Sequence, residues 1–200
     1  MYKSYEEMKK REHDLLMQRL EIYREEIAPY LPDGWEGAEL VLRDRGFFDA
    51  PASTKYHGAY PGGLFDHSMN VTRHLLKLTQ TMELNWYRPE SPWVIGFFHD
   101  LCKMDQYQRY SELTKEGVIL TYKYRDDTLY KGHGDKSVML LSTFGQLTEE
   151  EVACIRYHMG AFTEKEQWTE YTGAIHRFPN VLWTHTADMM AAHITEVDLG

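Results

Sequence analysis

A histidine and an aspartate interrupt an apolar run in the segment "VIGFFHDLCK", residues 94–103. His99 and Asp100 directly follow side chains that are typical of a protein core. A buried carboxylate costs several kcal/mol unless a cation, a set of hydrogen bonds or a metal ion compensates its charge. Lys103 is one candidate partner, because an ion pair would satisfy Asp100 without a metal. A metal ion bound by the His-Asp pair is the other.

Four further residues could bind the same metal ion, since each has a ligand side chain and lies on or at the end of a different predicted helix: His67, His133, His158 and Asp188. Helical bundles bring such ligands to one interior point. Imidazole and carboxylate groups suit Mn, Fe or Ni, with Zn as an alternative, and suit Mg less well because Mg prefers oxygen ligands and water. The pattern predicts a divalent metal site with one or two ions per chain.

Ordinary structural roles compete with these assignments. Any single buried histidine is more often a satisfied core residue than a ligand, whereas the quartet of His67, His99, Asp100 and Asp188 together favours a metal. His133 lies between two glycines, which also fits a simple surface loop. We interpret Cys102 as an inert core thiol, because nucleophilic catalysis needs a stabilised thiolate.

Apolar periodicity and helix-breaking residues predict the elements that position these side chains. The predicted helices span residues 5–28, 38–45, 64–82, 135–144, 148–158 and 178–196, and another begins with Ser91 as N-cap and Pro92 as first residue. Thr148 and Glu151 predict a capping box. Alternating apolar residues predict a β-hairpin over 107–130, and residues 159–178 are predicted to form an irregular flap. The fold class is all-α with one small hairpin.

Composition indicates one domain, residues 1–200, with a substantial core, because 42% of the residues are hydrophobic. The net charge of −9 disfavours tight, non-specific binding to long nucleic acid. Two cysteines are too few for a disulfide framework, and we see neither a signal segment nor an apolar stretch long enough to cross a membrane. We therefore expect a cytoplasmic protein without a membrane partner.

Several motifs resemble those of the HD-domain superfamily of metal-dependent phosphohydrolases. The order His67, His99-Asp100, Asp188 is similar to the order of the superfamily's defining motifs. "YHGAYPGGLFDHSMNV" resembles the segment before the first metal-binding histidine of HD-domain 3′-to-5′ exoribonucleases, and "GFFHDLCK" resembles the His-Asp-x-x-Lys form. "KGHGDKS" and "IRYHMG" resemble the auxiliary histidine motifs of two-metal members, and "VACIRYHMG" also resembles dinucleoside-polyphosphate hydrolases.

The resemblance implies an HD-type helical bundle over residues 55–195, with residues 1–50 as an N-terminal helical extension. It implies a first metal held by His67, His99, Asp100 and Asp188. It also implies a second metal bridged by Asp100 and bound by His133 and His158. Asp100 and Lys103 would be the catalytic residues, and the substrate would contact Lys103, Lys136 and His57. His57 could equally be a surface loop residue without a contact to substrate.

The function implied by the resemblance is hydrolysis of a phosphoester in a nucleotide or short oligonucleotide by metal-activated water. A 3′-to-5′ exoribonuclease acting on short single-stranded nucleic acid is an alternative, as is a dinucleoside-polyphosphate hydrolase. Exoribonucleases of this type often carry a His-His pair where this chain has His158-Met159, and an upstream nucleic-acid-binding module. An alternative of another class is a non-catalytic HD module that binds a nucleotide or a protein. A homo-oligomer is compatible with each of these.

Overall fold

The computed structural model describes residues 5–114, 117–130, 132–143 and 145–196. These segments are mostly helical and contain eight α-helices and one two-stranded antiparallel sheet. The helices are α1 (Tyr5–Glu26), α2 (Ala38–Asp44), α3 (Gly63–Thr81), α4 (Ser91–Phe98), α5 (His133–Leu141), α6 (Glu149–Arg156), α7 (Trp168–Arg177) and α8 (Asn180–Met190). The strands are β1 (Tyr107–Thr114) and β2 (Gly117–Tyr124). The coarse prediction of an all-α fold with a small hairpin is confirmed.

Helix α4 is the centre of the fold. It packs against α3, α6 and α8, and Val94, Ile95, Phe97 and Phe98 are fully buried. Because the helix contacts neighbours on several sides, its sequence is apolar all round. The polar residues that follow it therefore emerge inside the protein rather than at its surface.

The N-terminal residues belong to the same hydrophobic core. Tyr23 of α1 packs its ring against Phe48 and Phe97, and Phe47 also contacts Phe97. Trp35 packs edge-on against Phe98 of α4. The predicted extension over residues 1–50, of which 5–50 are described, therefore helps to fix the helix that leads to His99.

Of two predicted helix N-caps, one is present in the structure and the other is not. Thr148 forms the predicted capping box, because its hydroxyl accepts from Glu151 N at 3.2 Å and its own N–H donates to the Glu151 carboxylate at 2.9 Å. Ser91 is the first residue of α4 and not its N-cap. Its hydroxyl donates to Glu151 at 2.9 Å instead. A buried carboxylate needs several donors, so this serine joins α4 to α6.

The largest error in the predicted elements lies between α6 and α8. The flap predicted over 159–178 contains helix α7. None of its side chains is fully buried, and Tyr171, Ala174 and Ile175 form only a narrow, partly buried stripe against the core. The apolar signal was therefore weak, and Gly173 in the middle of the helix reduced it further.

The remaining boundaries shift by a few residues. The hairpin strands end at Tyr124, and α8 ends at Met190 and continues as a π-helical turn, Ala191–Thr195. Phe144, the predicted last residue of one helix, lies outside the described residues. No helix in the described ranges combines the length and apolar character needed to cross a membrane.

Candidate metal centre

Six residues meet at the inner ends of the helices. His67 lies in the second turn of α3, and His99 and Asp100 directly follow α4. His133 begins α5, His158 follows α6 by two residues, and Asp188 lies on α8. The predicted ligands therefore come from five separate helices. His67, His99 and His158 are at most 1% exposed and Asp100 is 2% exposed, so their polar atoms must find partners inside the protein.

The outer nitrogen of each buried imidazole is hydrogen-bonded. His99 Nδ1 lies 2.9 Å from the Gly96 carbonyl oxygen and His158 Nδ1 lies 2.7 Å from that of Ile155. A carbonyl oxygen only accepts hydrogen bonds, so each Nδ1 carries the proton and the neutral ring has its lone pair on Nε2. His67 Nδ1 lies 3.1 Å from the Glu196 carboxylate. This arrangement is typical of metal-binding histidines.

The inner nitrogens lack hydrogen-bond partners. Nε2 of His67, His99 and His158 is buried and unpaired among the described residues. Asp188 Oδ1 is only 3.1 Å from His67 Nε2, but its direction does not meet hydrogen-bond geometry. An unpaired buried polar group costs about 1–3 kcal/mol. Three such nitrogens directed at two carboxylates are explained by a cation that binds between them.

The spacing of the ligand atoms fits a first ion. His67 Nε2 and His99 Nε2 lie 3.8 and 3.5 Å from Asp100 Oδ2, and 3.1 and 4.0 Å from Asp188 Oδ1. Ligands bound at 2.0–2.2 Å are separated from one another by about 3.0–3.5 Å around a common ion. His67, His99 and Asp100 therefore form one group of potential ligands, and Asp188 lies within 4.0 Å of both histidines.

The second carboxylate oxygen of Asp100 faces another pair of histidines. Asp100 Oδ1 lies 3.5 Å from His158 Nε2 and 3.6 Å from His133 Nδ1. Because Oδ2 faces the first group and Oδ1 the second, the carboxylate has the orientation that a bridge between two ions requires. The structure thus brings His133 and His158 to the position predicted for a second metal.

Lys103 forms the ion pair that was the competing explanation for Asp100. Its Nζ lies 2.5 Å from Asp100 Oδ2. Burial would raise the pKa of Asp100, but Lys103 and then His99 hold that pKa well below its usual value. The ion pair accounts for the charge of Asp100. It does not account for the unpaired imidazole nitrogens, which a further cation would satisfy.

In the absence of a metal, protons would occupy part of this centre. Burial would lower the pKa of His67, but the neighbouring Asp188 and Glu196 carboxylates raise it to about 9. Asp100 and then Cys102 raise the pKa of His133 to about 9. Metal binding requires neutral imidazole, so an ion would replace these protons.

This proton occupancy gives an expected pH dependence for the metal-free protein. Because the folded-state pKa values of His67 and His133 lie above the usual 6.5, their stabilising contribution is complete below pH 6.5 and is lost as the pH rises through 9. The melting temperature of chelator-treated protein should therefore fall from pH 6.5 to 9. His67→Gln should reduce the dependence of the melting temperature on pH. His176→Gln, on the exposed face of α7, should leave that dependence unchanged. Equal slopes in all three proteins would contradict the expectation.

A cavity of about 1010 Å³ opens onto the centre. Asp100, Lys103, His133 and Asp188 line it. His57 lines it as well, and its ring centroid lies 5.1 Å from that of His67. The predicted contact between substrate and His57 is therefore compatible with its position in the structure. Five aromatic side chains also line the cavity: Tyr56, Tyr60, Tyr107, Tyr124 and Phe162.

Lys136 is the predicted substrate contact that the structure does not bring to the cavity. Its Nζ forms an ion pair with Asp105, in the 3-10 turn Leu101–Asp105, and the side chain is buried. It is not among the described residues that line the cavity. The physical reason is its place in the first turn of α5, which packs directly against that turn. Lys136 therefore stabilises the segment after Asp100.

Sequence reasoning missed Glu196 at this centre. Glu196 orients His67 through Nδ1 and accepts a hydrogen bond from Asn70 at 3.0 Å. The available signal was its helical spacing, because Glu196 is two turns beyond Asp188 on the same predicted face. His185 lies one turn before Asp188 on α8, and its Nδ1 is 2.8 Å from the His158 carbonyl oxygen.

Loss of the Glu196 carboxylate should weaken metal binding without unfolding the protein. Partners of this kind hold the ligand ring in place and increase its basicity, and their removal typically costs 10–100-fold in metal affinity. We expect an effect of about that size for Glu196→Ala and a smaller one for Glu196→Gln, whose amide oxygen can still accept from His67. Titration calorimetry with Mn²⁺ measures it, and Glu170→Ala on α7 serves as control. Unchanged affinity in Glu196→Ala would show that the contact has no role in metal binding.

Comparison of the chain with models of protein families, with curated proteins and with solved structures gives no match. The function is therefore inferred from the geometry of the centre and from the motifs that it contains.

Proposed function

We propose that this protein is an HD-type, metal-dependent phosphohydrolase that cleaves a phosphoester bond in a nucleotide or short oligonucleotide. One observation carries the proposal: three buried imidazole nitrogens without partners converge with Asp100 and Asp188, and these two carboxylates line a large cavity. A metal ion between them would satisfy these nitrogens and leave the imidazoles neutral. The motif order discussed above supports the same assignment.

The residues divide into two metal positions. His67, His99, Asp100 and Asp188 would hold the first ion, and Asp100 would bridge to a second ion with His133 and His158. Divalent ions at such positions supply an activated water nucleophile at neutral pH and neutralise charge on a phosphate. Mn, Fe or Ni suits this mixed nitrogen and oxygen set, with Zn and Mg as alternatives.

Lys103 has the position expected of a phosphate-contacting cation. It borders both Asp100 and the cavity. Burial would lower the pKa of Lys103, but Asp100 outweighs that effect and raises it, so the ammonium group stays charged at neutral pH. A fixed positive charge beside the reacting phosphate stabilises the charge that develops in the transition state.

The cavity lining favours a small substrate with an aromatic group. The five aromatic side chains at the cavity offer stacking surfaces, and stacking contributes about 1–3 kcal/mol per base. Lys55 and Lys103 are its only lysine or arginine residues within the described segments, and three carboxylates line the same space. A long nucleic acid needs a basic track for its backbone. These features support a nucleotide over an extended RNA strand.

A substrate panel tests the proposal. Metal-loaded protein would be incubated with nucleoside monophosphates, a dinucleotide, a dinucleoside polyphosphate and an end-labelled oligonucleotide, with chelator-treated protein as control. We expect metal-dependent hydrolysis of at least one small nucleotide, with little shortening of the oligonucleotide. Stepwise shortening from the 3′ end would favour the exoribonuclease. Thermal stabilisation by nucleotides without any product would favour the non-catalytic binding module.

A further inference from the structure

We infer that Cys102 is a metal ligand at the second position, where it completes a thiolate-containing site with Asp100 and His133. The inference rests on the metal centre proposed above and adds a ligand to it. It also replaces the interpretation of Cys102 as an inert core thiol, because the side chain borders the buried centre. Such a site would take Zn²⁺ or Co²⁺ in preference to Mg²⁺ or Mn²⁺.

The three ligand atoms have the mutual spacing of a tetrahedral site. Cys102 Sγ lies 3.4 Å from His133 Nδ1 and 3.9 Å from Asp100 Oδ1, and the nitrogen lies 3.6 Å from that oxygen. Metal–sulfur and metal–nitrogen bonds of 2.3 and 2.0–2.1 Å give tetrahedral edges of about 3.3–3.6 Å. A shift of a few tenths of an ångström at the sulfur would bring all three atoms to a common ion.

A fourth buried atom lies close to the same carboxylate oxygen of Asp100. His158 Nε2 lies 3.5 Å from Asp100 Oδ1 and has no hydrogen-bond partner among the described residues. A hydrogen bond between the Cys102 sulfur and His133 would explain the sulfur contact, but it would leave His158 Nε2 without a partner. An ion bound by the sulfur, His133 and Asp100 Oδ1 explains the sulfur contact, and a movement of the His158 ring would bring its Nε2 to the same ion.

The backbone fixes Cys102 relative to His133. Cys102 lies in the 3-10 turn Leu101–Asp105, and its N–H donates to Ser137 Oγ at 3.1 Å. Ser137 is one turn beyond His133 in α5. Cys102 and His133 therefore belong to two packed segments joined by a buried hydrogen bond, and little rearrangement is needed for both to bind one ion.

The ligand type determines the preferred metal. Sulfur is a soft donor that selects Zn²⁺, Fe or Cu(I), whereas Mg²⁺ and Mn²⁺ prefer oxygen ligands. Coordination by the thiolate releases the thiol proton to solvent. The first position, which contains only nitrogen and oxygen ligands, should remain less selective. The two positions of one centre should therefore fill with different metals when both kinds are present.

Cobalt spectroscopy tests the inference directly, because a Co²⁺–thiolate bond gives a near-ultraviolet charge-transfer band that nitrogen and oxygen ligands do not give. We expect metal-free protein to develop this band during titration with two equivalents of Co²⁺. Cys102→Ser should lose the band and bind one of the two equivalents at least about tenfold more weakly. Cys154→Ser is the matched control: Cys154 is the other cysteine, is fully buried beside α8 and lies outside the candidate ligand groups.

The outcomes separate this inference from the proposed function. Two bound Co²⁺ ions without the band, or a band that persists in Cys102→Ser, would overturn the role of Cys102 and leave the metal centre in place. A single bound Co²⁺ without the band would also overturn it. No bound Co²⁺ at all would overturn the proposed function as well. Circular dichroism of each variant, with Cys102→Ala as a second substitution, shows that loss of the band does not reflect unfolding.

Discussion

Asp100→Asn is expected to abolish tight metal binding and to reduce phosphoester hydrolysis by more than about 100-fold. Removal of a residue that only hydrogen-bonds to a metal ligand typically costs 10–100-fold, and loss of the ligand itself should cost more. Both Asp100 oxygens face ligands, with Oδ2 toward His67 and His99 and Oδ1 toward His133 and His158. The substitution keeps the shape of the side chain but removes its charge and one ligand oxygen. Elemental analysis and the substrate panel measure the two effects.

Asp66→Asn is the matched control for this substitution. Asp66 precedes His67 on α3, but its carboxylate accepts from Tyr60 at 2.9 Å and pairs with Arg19 at 3.5 Å, away from the metal ligands. We expect it to retain metal and activity. Asp100→Asn should keep the helical circular dichroism of the parent protein. Retention of stoichiometric metal and full turnover in Asp100→Asn would contradict the assignment of the centre.

Gly96→Ala is expected to destabilise the protein strongly. A Cβ atom at Gly96 would lie 2.6 Å from Thr72 Cα and 2.9 Å from Thr72 Oγ1, so α3 and α4 would have to move apart. Overpacking of this kind typically costs 1–3 kcal/mol and occasionally more, and here the clash is with backbone. The movement would also separate His67 from His99. Both the free energy of unfolding and the metal affinity should therefore decrease.

Gly173→Ala provides the contrasting control in α7. A Cβ atom there would meet no atom within 4 Å, so the substitution should stabilise the helix by about 0.5–1 kcal/mol. Urea unfolding of both variants measures the difference. Equal stability of Gly96→Ala and the parent protein would show that α3 and α4 do not pack as closely as described.

Patterns within single elements predicted much of the fold. The apolar stripe of α3 and the uniformly apolar start of α4 placed His67, His99 and Asp100 inside the protein, as observed. The capping box of α6 depends on two residues three apart, so local spacing was sufficient. Helix α7 was missed because its buried stripe is narrow and partly exposed.

The features of the centre that the sequence did not predict have a common physical cause. A helical pattern shows which face is buried, but not which residue from another element lies opposite that face. Lys136 has an inward position and yet pairs with Asp105, whereas Glu196 approaches His67 from the other end of the chain. Cys102 was interpreted as inert because nucleophilic catalysis needs a stabilised thiolate, and its contact with His133 depends on the packing of α5.

The metal content of the protein tests the central claim most directly. Protein purified without chelators would be analysed for Mn, Fe, Co, Ni and Zn relative to chain concentration. We expect one or two ions per chain, consistent with the two positions that share Asp100. Protein that contains no metal and takes up none from added Mn²⁺, Fe²⁺, Ni²⁺, Co²⁺ or Zn²⁺ would contradict the account. Asp100 would then be satisfied by Lys103 alone, and the buried histidines would have to hold protons instead of a metal.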